Sequence, residues 1–467
     1  MANLFLKSLH RLPGSLKPKA TITSHSEQIQ RIKTKLTSAQ QADKERKVFG
    51  ADTHQYRIKP PAPEREVGAF EERFSLVLPE CYRSFLTSLG NGGESYCGSA
   101  AGPFYGIYPL GHGVDELAER PTSHLNKPAI INPSMTCEEW DRLIGRIKDD
   151  DEISNEEFEK EREKIYGGLL PIGSQGCTCI HALVLNGPHA GRVVNLDLDL
   201  QRPQFAFEIN FLDWYERWLY EVIAGYLTQG DPTWFGYTMG GDDNQLMHAY
   251  AEATSRDTKL EALKGLAKLT SATEENCRRL LELCGEENAE IRHLALAMLT
   301  KFAYLMARQS LHAHILGDDC DCLAACQNIN WYAKNKASEW SDLLRSRLPR
   351  VNAPETFRFI SYLLLESGVD FGEDFRSFCT HEVEDIRVTV FYSLGKLGNK
   401  NNLVDLFILG LDDISAKVVH SALQALEGVQ DQRLLTAYDR VFERFQTDEN
   451  DVLTNLKHRF KEMGRII

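Results

Sequence analysis

Three groups of residues carry side chains able to do chemistry. Asn195, Asp197 and Asp199 alternate along V-V-N-L-D-L-D-L, which puts them on one face of a predicted strand. Carboxylates at that spacing can hold a cation or exchange protons. The same pattern arises on the water-facing side of an edge strand, and that is the expectation here. His312, His314, Cys320, Cys322 and Cys326 form the densest run of soft ligands. Zinc takes about four such ligands in a tetrahedron, but Cys-x-Cys followed by Cys four residues on is not knuckle spacing. Free cysteine packs as a small hydrophobe, so these are expected to be core residues of a helix rather than a metal site. Cys177 and Cys179 fall on one face of a predicted strand and are expected to fill core. His181 and His189 have no acidic neighbour in sequence, and Asp318, Asp319 and Asp321 are the densest carboxylates of the C-terminal half. The sequence holds no glycine-rich phosphate loop, no His-Glu-x-x-His stretch and no Gly-x-Ser-x-Gly elbow. The chain is therefore expected to bind rather than catalyse, with no cofactor and no metal.

The elements that position these residues start with Phe70 to Gly93. Tyr82, Phe85, Leu86 and Leu89 recur at i, i+3, i+4 and i+7, which places them on one helix face. Pro79 can open that helix, and Gly90, Asn91, Gly92 and Gly93 end it. A short earlier helix carries Phe70 and Phe74 to the same core. Phe104 to Tyr108 reads as a short aromatic strand. L-L-P-I-G-S-Q-G-C-T-C-I-H-A-L-V-L-N-G-P-H-A-G-R-V-V-N-L-D-L-D-L reads as two strands around the Asn186-Gly187-Pro188 turn. Val194, Leu196, Leu198 and Leu200 face one way on the second, and Val193 joins Asn195, Asp197 and Asp199 on the other. Phe205, Phe207 and Ile209 give a further alternating strand. Phe211, Trp214, Tyr215, Trp218, Leu219, Val222 and Ile223 then make a wide apolar helix stripe. Phe104, Tyr105, Tyr108, Trp214 and Trp218 follow strand or helix periodicity and are expected in the core. Tyr96, Tyr105 and His112 sit among loop glycines, where aromatic rings act as binding anchors.

The 467 residues exceed one typical domain, and the net charge of −14 argues against a general nucleic-acid binder. Residues 1–65 run the other way, with thirteen Lys and Arg against five Asp and Glu. Residues 1–63 read as a polar, basic tail and linker: Leu4, Phe5, Leu9 and Leu12 could make an amphipathic turn, and Thr21 to Lys47 a partly formed solvated helix. Pro60, Pro61 and Pro63 stiffen the entry to an α+β domain over 64–228. Residues 111–166 form a helical insertion within it. Lys148 to Lys164 holds nine acidic and four basic residues, and their spacing favours an exposed helix. The eleven cysteines are scattered, as free thiols in a reducing cytosol would be. No apolar run is long enough to span a membrane, so a cytoplasmic protein is expected.

From 245 to 467 the pattern is helical and repetitive. Ile291, Arg292, Ala295, Met298, Leu299 and Phe302 share a template with Ile386, Arg387, Val390, Ser393, Leu394 and Leu397. Partial copies start at 258, 357 and 415, a spacing of about 30 residues, with a degenerate unit near 324. Lys334 to Arg350 departs from the template.

Leu78-Pro79, Tyr82, Phe85-Leu86 and Asn91-Gly92-Gly93, entered from a short acidic helix, resemble the opening of the SUKH superfamily. The Leu-Pro-Ile-Gly entry to the sheet and the closing helix with Trp214 and Trp218 resemble it too. That superfamily holds Smi/Knr-type cell-wall regulators and bacterial toxin-immunity proteins. The x-Ile-Arg…Ser-Leu-Gly-Lys-Leu-Gly form at 385–398 resembles a HEAT-like repeat. The resemblance implies a SUKH-like α+β domain, a mixed or antiparallel sheet with flanking helices, followed by an all-α HEAT-like solenoid. It implies a non-enzymatic immunity protein that occludes a cognate toxin, such as a nuclease or deaminase. The alternative is a scaffold or regulator of cell-wall synthesis. On the first reading Asp149, Asp150, Asp151, Glu152, Glu156, Glu157 and Glu159, with Tyr96, Tyr105 and His112, meet the toxin.

Overall fold

The computed structural model describes residues 25–150, 152–228, 235–446 and 451–465. Leu4, Phe5, Leu9, Leu12, Thr21 and Asp151 lie outside them. The chain divides into two compact units, Met1–Gly240 and Gly241–Ile467.

The first unit opens with α1 (His25–Ala42) and the single turn α2 (Ala51–His54). The expectation of a solvated helix fails here. Ile29, Ile32 and Ala39 are buried, and Gln28 donates to Asp213 at 2.7 Å while Arg31 and Lys35 pair with Glu216. The apolar spacing on α1 is therefore a docked face, and Arg31 and Lys35, two of the basic residues that read as a tail, serve one carboxylate.

Next come α3 (Glu64–Phe74) and α4 (Glu80–Ser84), the latter continued by a π-helical turn over Phe85–Leu89. Pro79 caps α4. Tyr82, Phe85, Leu86 and Leu89 are all buried, as are Phe70 and Phe74. Gly92 exits with φ +71, and a Cβ on Gly93 would lie 2.3 Å from the Ser99 carbonyl oxygen. Asn91 accepts the Leu110 amide at 2.8 Å. The Asn-Gly-Gly run thus closes a tight loop as well as ending a helix.

Three more helices follow: α5 (Pro121–His124), α6 (Cys137–Asp149) and α7 (Asn155–Ile165). Thr136 and Glu139 form a capping box on α6, and Ser154 caps α7. The sheet is β1 (Leu169–Gly176), β2 (Cys179–Val184), β3 (Val193–Asp197) and β4 (Gln204–Phe205), antiparallel in that order. The first expected strand is two, because Cys177 turns the chain at φ +50; Cys177 is exposed there rather than core. The strand expected at 205–209 stops at Phe205, and Ile209 is 74 % exposed. The strand expected at Phe104–Tyr108 is a turn with Phe104 at φ +54. It is tied to β1 through the Tyr105 and Tyr108 amides, while Ala100 bridges Ile107.

Both faces of the sheet are covered. Val194, Leu196, Ile180 and Ala182 pack with Trp140 and Ile144 of α6 and with Ile165 and Tyr166. Val193, Leu183, Leu170 and Ile172 pack with the α3–α4 core and with α8 (Phe211–Ile223). On α8, Phe211, Trp214, Tyr215, Trp218, Leu219 and Val222 are buried, with Phe211 5.1 Å and Tyr215 5.0 Å from Phe85 between ring centres. Ile223 at the helix end is exposed. Because β3 lies inside the sheet, Asn195 is buried and not water-facing as expected.

The second unit is helical: α9 (Asp243–Glu252), α10 (Arg256–Gly265), α11 (Glu274–Leu283), α12 (Ala289–Ile315), α13 (Asp319–Tyr332), α14 (Ser341–Arg347), α15 (Pro354–Ser367), α16 (Glu384–Gly395), α17 (Val404–Leu411), α18 (Ala416–Ala425), α19 (Arg433–Phe445) and α20 (Asp451–Glu462). One row of neighbours runs α10, α12, α13, α15, α16, α18 and α20. A kink at Ala303, with φ −148 and ψ 63, splits α12 into two segments. The degenerate unit near 324 is α13, and the departure at Lys334–Arg350 is 3-10 turns around α14. The two template arginines act alike. Arg292 spans to Asp321 and donates to the Glu286 and Glu287 carbonyls, and Arg387 spans to Asp413 and donates to those of His381 and Glu382. Arg292 ties α12 to α13, and Arg387 ties α16 to the loop that leads into α18.

Candidate functional site

The acidic insertion is a helix hairpin whose negative charge is only partly free. Glu156 pairs with Lys160, Glu157 with Arg146 and Glu159 with Arg162. Ser154 hydrogen bonds at its helix N-terminus hold the Glu157 carboxyl below its ordinary range. Glu163 is 5 % exposed and takes both Arg120 and Lys127, so it fastens α7 down instead of facing outward. The uncommitted charge lies at the tip. Asp149, Asp150 and Glu152 are exposed, with Asp149 in the last turn of α6 and Asp150 at its C-cap. A helix C-terminus favours cations by about 0.3–1 kcal/mol, so these two carboxylates sit where local stability disfavours them.

The aromatic loop residues separate. Tyr96 is 57 % exposed and its ring centre is 5.6 Å from that of Tyr105, which is half-buried. Phe49, 53 % exposed, stands 5.2 Å from Tyr105 and 5.8 Å from Phe104. Phe49, Tyr96 and Tyr105 therefore form an exposed aromatic patch. His112 packs edge-on to Tyr108 at 4.7 Å, a separate contact. Phe104, Tyr108, Trp214 and Trp218 are buried; the α8 period accounts for the two tryptophans, whereas Phe104 and Tyr108 are buried from a turn and not from the strand expected. Phe49 escaped the sequence reading because it lies in the segment read as tail.

The polar face of β3 is interior. His181 Nδ1 lies 2.9 Å from Asn195 Oδ1, and Gln175 donates to the same oxygen at 3.0 Å. Tyr237 donates its hydroxyl to Gln175 at 2.8 Å. Burial pushes the His181 imidazole down to about 4. Asp197 and Asp199 both accept the Thr178 hydroxyl and so brace the β1–β2 turn. Asp318 caps α13, and Asp319 accepts from Arg347 and from the Asn352 and Ala353 amides. These carboxylates are occupied in building the fold.

The soft-ligand run does not converge as a set. His312 and Cys320 are exposed, whereas His314, Cys322 and Cys326 are buried. Among the described residues, His314 instead meets His293 and Asp321, with one ligand atom of each within 4.8 Å of the others. His293 escaped the sequence reading because it is nearly a full unit away in sequence.

No helix among the described residues is long and apolar enough to cross a membrane. A comparison with curated proteins finds no match. Among solved structures, the chain is similar to the X-ray structure of YibA of E. coli, at 12 % identity over 48 % of this chain and 93 % of that one, TM-score 0.35. It is similar to the CpcE–CpcF complex of phycocyanin lyase from Nostoc, at 13 % identity over 48 % and 94 %, TM-score 0.29. An engineered protein is similar at 14 % identity over 48 % and 97 %, TM-score 0.24. The sheet, its two covering layers and the Asn-Gly-Gly loop lie largely within residues 61–218, and that stretch matches the SMI1 / KNR4 family (SUKH-1) and is a domain of that kind.

Proposed function

We propose that this is a non-enzymatic binding protein, an immunity protein that neutralises a toxin by covering it. The observation that carries the reading is the SUKH-1 match over residues 61–218. Two surfaces on the same unit support it. The α6–α7 tip offers Asp149, Asp150 and Glu152, and the patch at Phe49, Tyr96 and Tyr105 offers rings of the kind that anchor interfaces. Carboxylates held at a helix C-terminus against the dipole fit a basic partner, such as the nucleic-acid site of a nuclease or deaminase. The helical unit reads as HEAT-like, a stack whose extended face enlarges the contact. The partner is protein and not nucleic acid, and the setting is the bacterial cytoplasm.

The alternative, a cell-wall regulator of the same superfamily, took added support from an expected disordered flank over residues 13–63, and within that stretch α1 is docked on α8. The test is protection by the full chain against the toxin encoded beside its gene, with affinity measured at rising salt. Stoichiometric binding that weakens as salt screens the acidic tip is the expected result. Lack of protection removes the immunity reading. Salt-independent affinity removes the electrostatic account of it.

A further inference from the structure

We propose that His293, His314 and Asp321 form a binding site for one divalent transition-metal ion of the zinc class. The two histidines stand on either side of the Ala303 kink in α12, and Asp321 comes from the first turn of α13. Their ligand atoms lie within 4.8 Å of one another. Two imidazoles and a carboxylate select zinc-like ions over magnesium or calcium, which prefer oxygen.

The second observation is His314 itself. It is 7 % exposed, and its Nδ1 lies 2.8 Å from the Ser310 carbonyl oxygen, to which that nitrogen donates. Its Nε2 is buried without a hydrogen-bond partner. A metal-binding imidazole is commonly held this way, with one nitrogen on a carbonyl and the other presenting its lone pair.

His293 Nε2 is 2.6 Å from Asp321 Oδ1, and Arg292 donates to the same oxygen at 2.8 Å. The ion takes the place of the proton in the His293–Asp321 hydrogen bond. That proton leaves Nε2 for Nδ1 of the same ring, or for solvent when the ring is charged. Arg292 orients the carboxylate while its charge opposes the incoming cation, which favours the stronger Lewis acids. Three protein donors leave a coordination position for water or for a donor from a partner. His293 also lines a surface groove with Leu294, Ala297, Leu323, Ala324 and Trp331, which gives the site access.

The inference rests on the second unit alone and is independent of the toxin reading. The full chain is stripped with a chelator and titrated separately with zinc chloride and cobalt chloride. The expected result is one tight equivalent, with cobalt d–d bands and no thiolate charge-transfer band despite the eleven cysteines. His314→Ala and His293→Gln each weaken binding by about 100-fold or more. His293 is the decisive position, because its partly exposed side chain can change without opening the core, and circular dichroism checks that each variant is folded. The absence of a tight equivalent, a thiolate band at that equivalent, or unchanged affinity in folded His293→Gln overturns the proposal.

Discussion

Acidification from pH 7 to 5.5 should loosen the first unit well before its carboxylates begin to protonate. Three buried histidines of the unit resist charging, and His124 adds to the loss that His54 and His181 bring. His54 Nδ1 accepts the Tyr56 amide at 3.0 Å, so a proton there would face another N–H. Its ring lies edge-on to Trp218, and its Nε2 is buried without a partner. His181 is fully buried, with Nδ1 on Asn195 and Nε2 likewise unpartnered. Burial pushes each from 6.5 down to about 4. Between those values the unfolded chain binds protons that the folded one refuses, so stability rises with pH there and falls as pH drops through 6.5. Linkage gives a loss of about 1.4 kcal/mol per histidine at pH 5.5, and about 3 kcal/mol for the two. The loss saturates near pH 4.

The assay is hydrogen exchange of the α8 amides, corrected for the intrinsic pH dependence of exchange. Protection should fall by about 100-fold between pH 7 and 5.5, with roughly half that slope, on a logarithmic scale, in His54→Gln or His181→Gln. Flat protection across that range, or an unchanged slope in both variants, would refute the argument that these rings are held neutral by burial.

Other outcomes follow from single contacts. Asp149→Asn together with Asp150→Asn should raise stability by a few tenths of a kcal/mol in denaturant titration while slowing association with a basic partner, because each carboxylate opposes the α6 dipole. Glu163→Gln should destabilise the insertion by about 1–2 kcal/mol, below the 3–5 of a fully buried pair because Arg120 and Lys127 reach solvent; limited proteolysis near residue 150 reads it. Gly93→Ala should cost about 1–3 kcal/mol or shift the 91–100 loop, since its Cβ meets backbone at Ser99; thermal melting checks this. On the proposed immunity reading, Tyr96→Ala should weaken binding to the toxin partner by about 2 kcal/mol with no change in melting temperature, as its ring is mostly exposed.

What could be read from sequence was whatever a period encodes. The Tyr82–Leu89 stripe, the α8 stripe and the Ile-Arg template at 291 and 386 place side chains by regular geometry, and these residues lie where the spacing puts them, except Ile223 at the exposed end of α8. What could not be read was set by positive-φ residues. Cys177 at φ +50 makes a hairpin inside a continuous apolar run, and Phe104 at φ +54 breaks an aromatic strand. Neither residue type announces that conformation. Whether Asn195 meets water was equally hidden, because alternation tells which residues share a face but not what covers the face.

The same reasoning explains why the grouping of His293, His314 and Asp321 was not legible in sequence. A motif search groups ligands by nearness in sequence, which gathered His312, His314 and three cysteines. A helical stack groups them by unit, so residues about 30 apart become neighbours while adjacent ones point to opposite sides. Arg292, His293 and Asp321 meet for that reason, and Cys320 and Cys322 part for it, one exposed and one buried. The arginine ties one helix to the next at this contact, and Arg387 ties its helix to the loop before α18. Only at the first of these contacts do a neighbouring histidine and a buried, unpartnered imidazole nitrogen join the ion pair. A contact that serves structure at both places is joined at the first by three donors of the kind a transition metal takes.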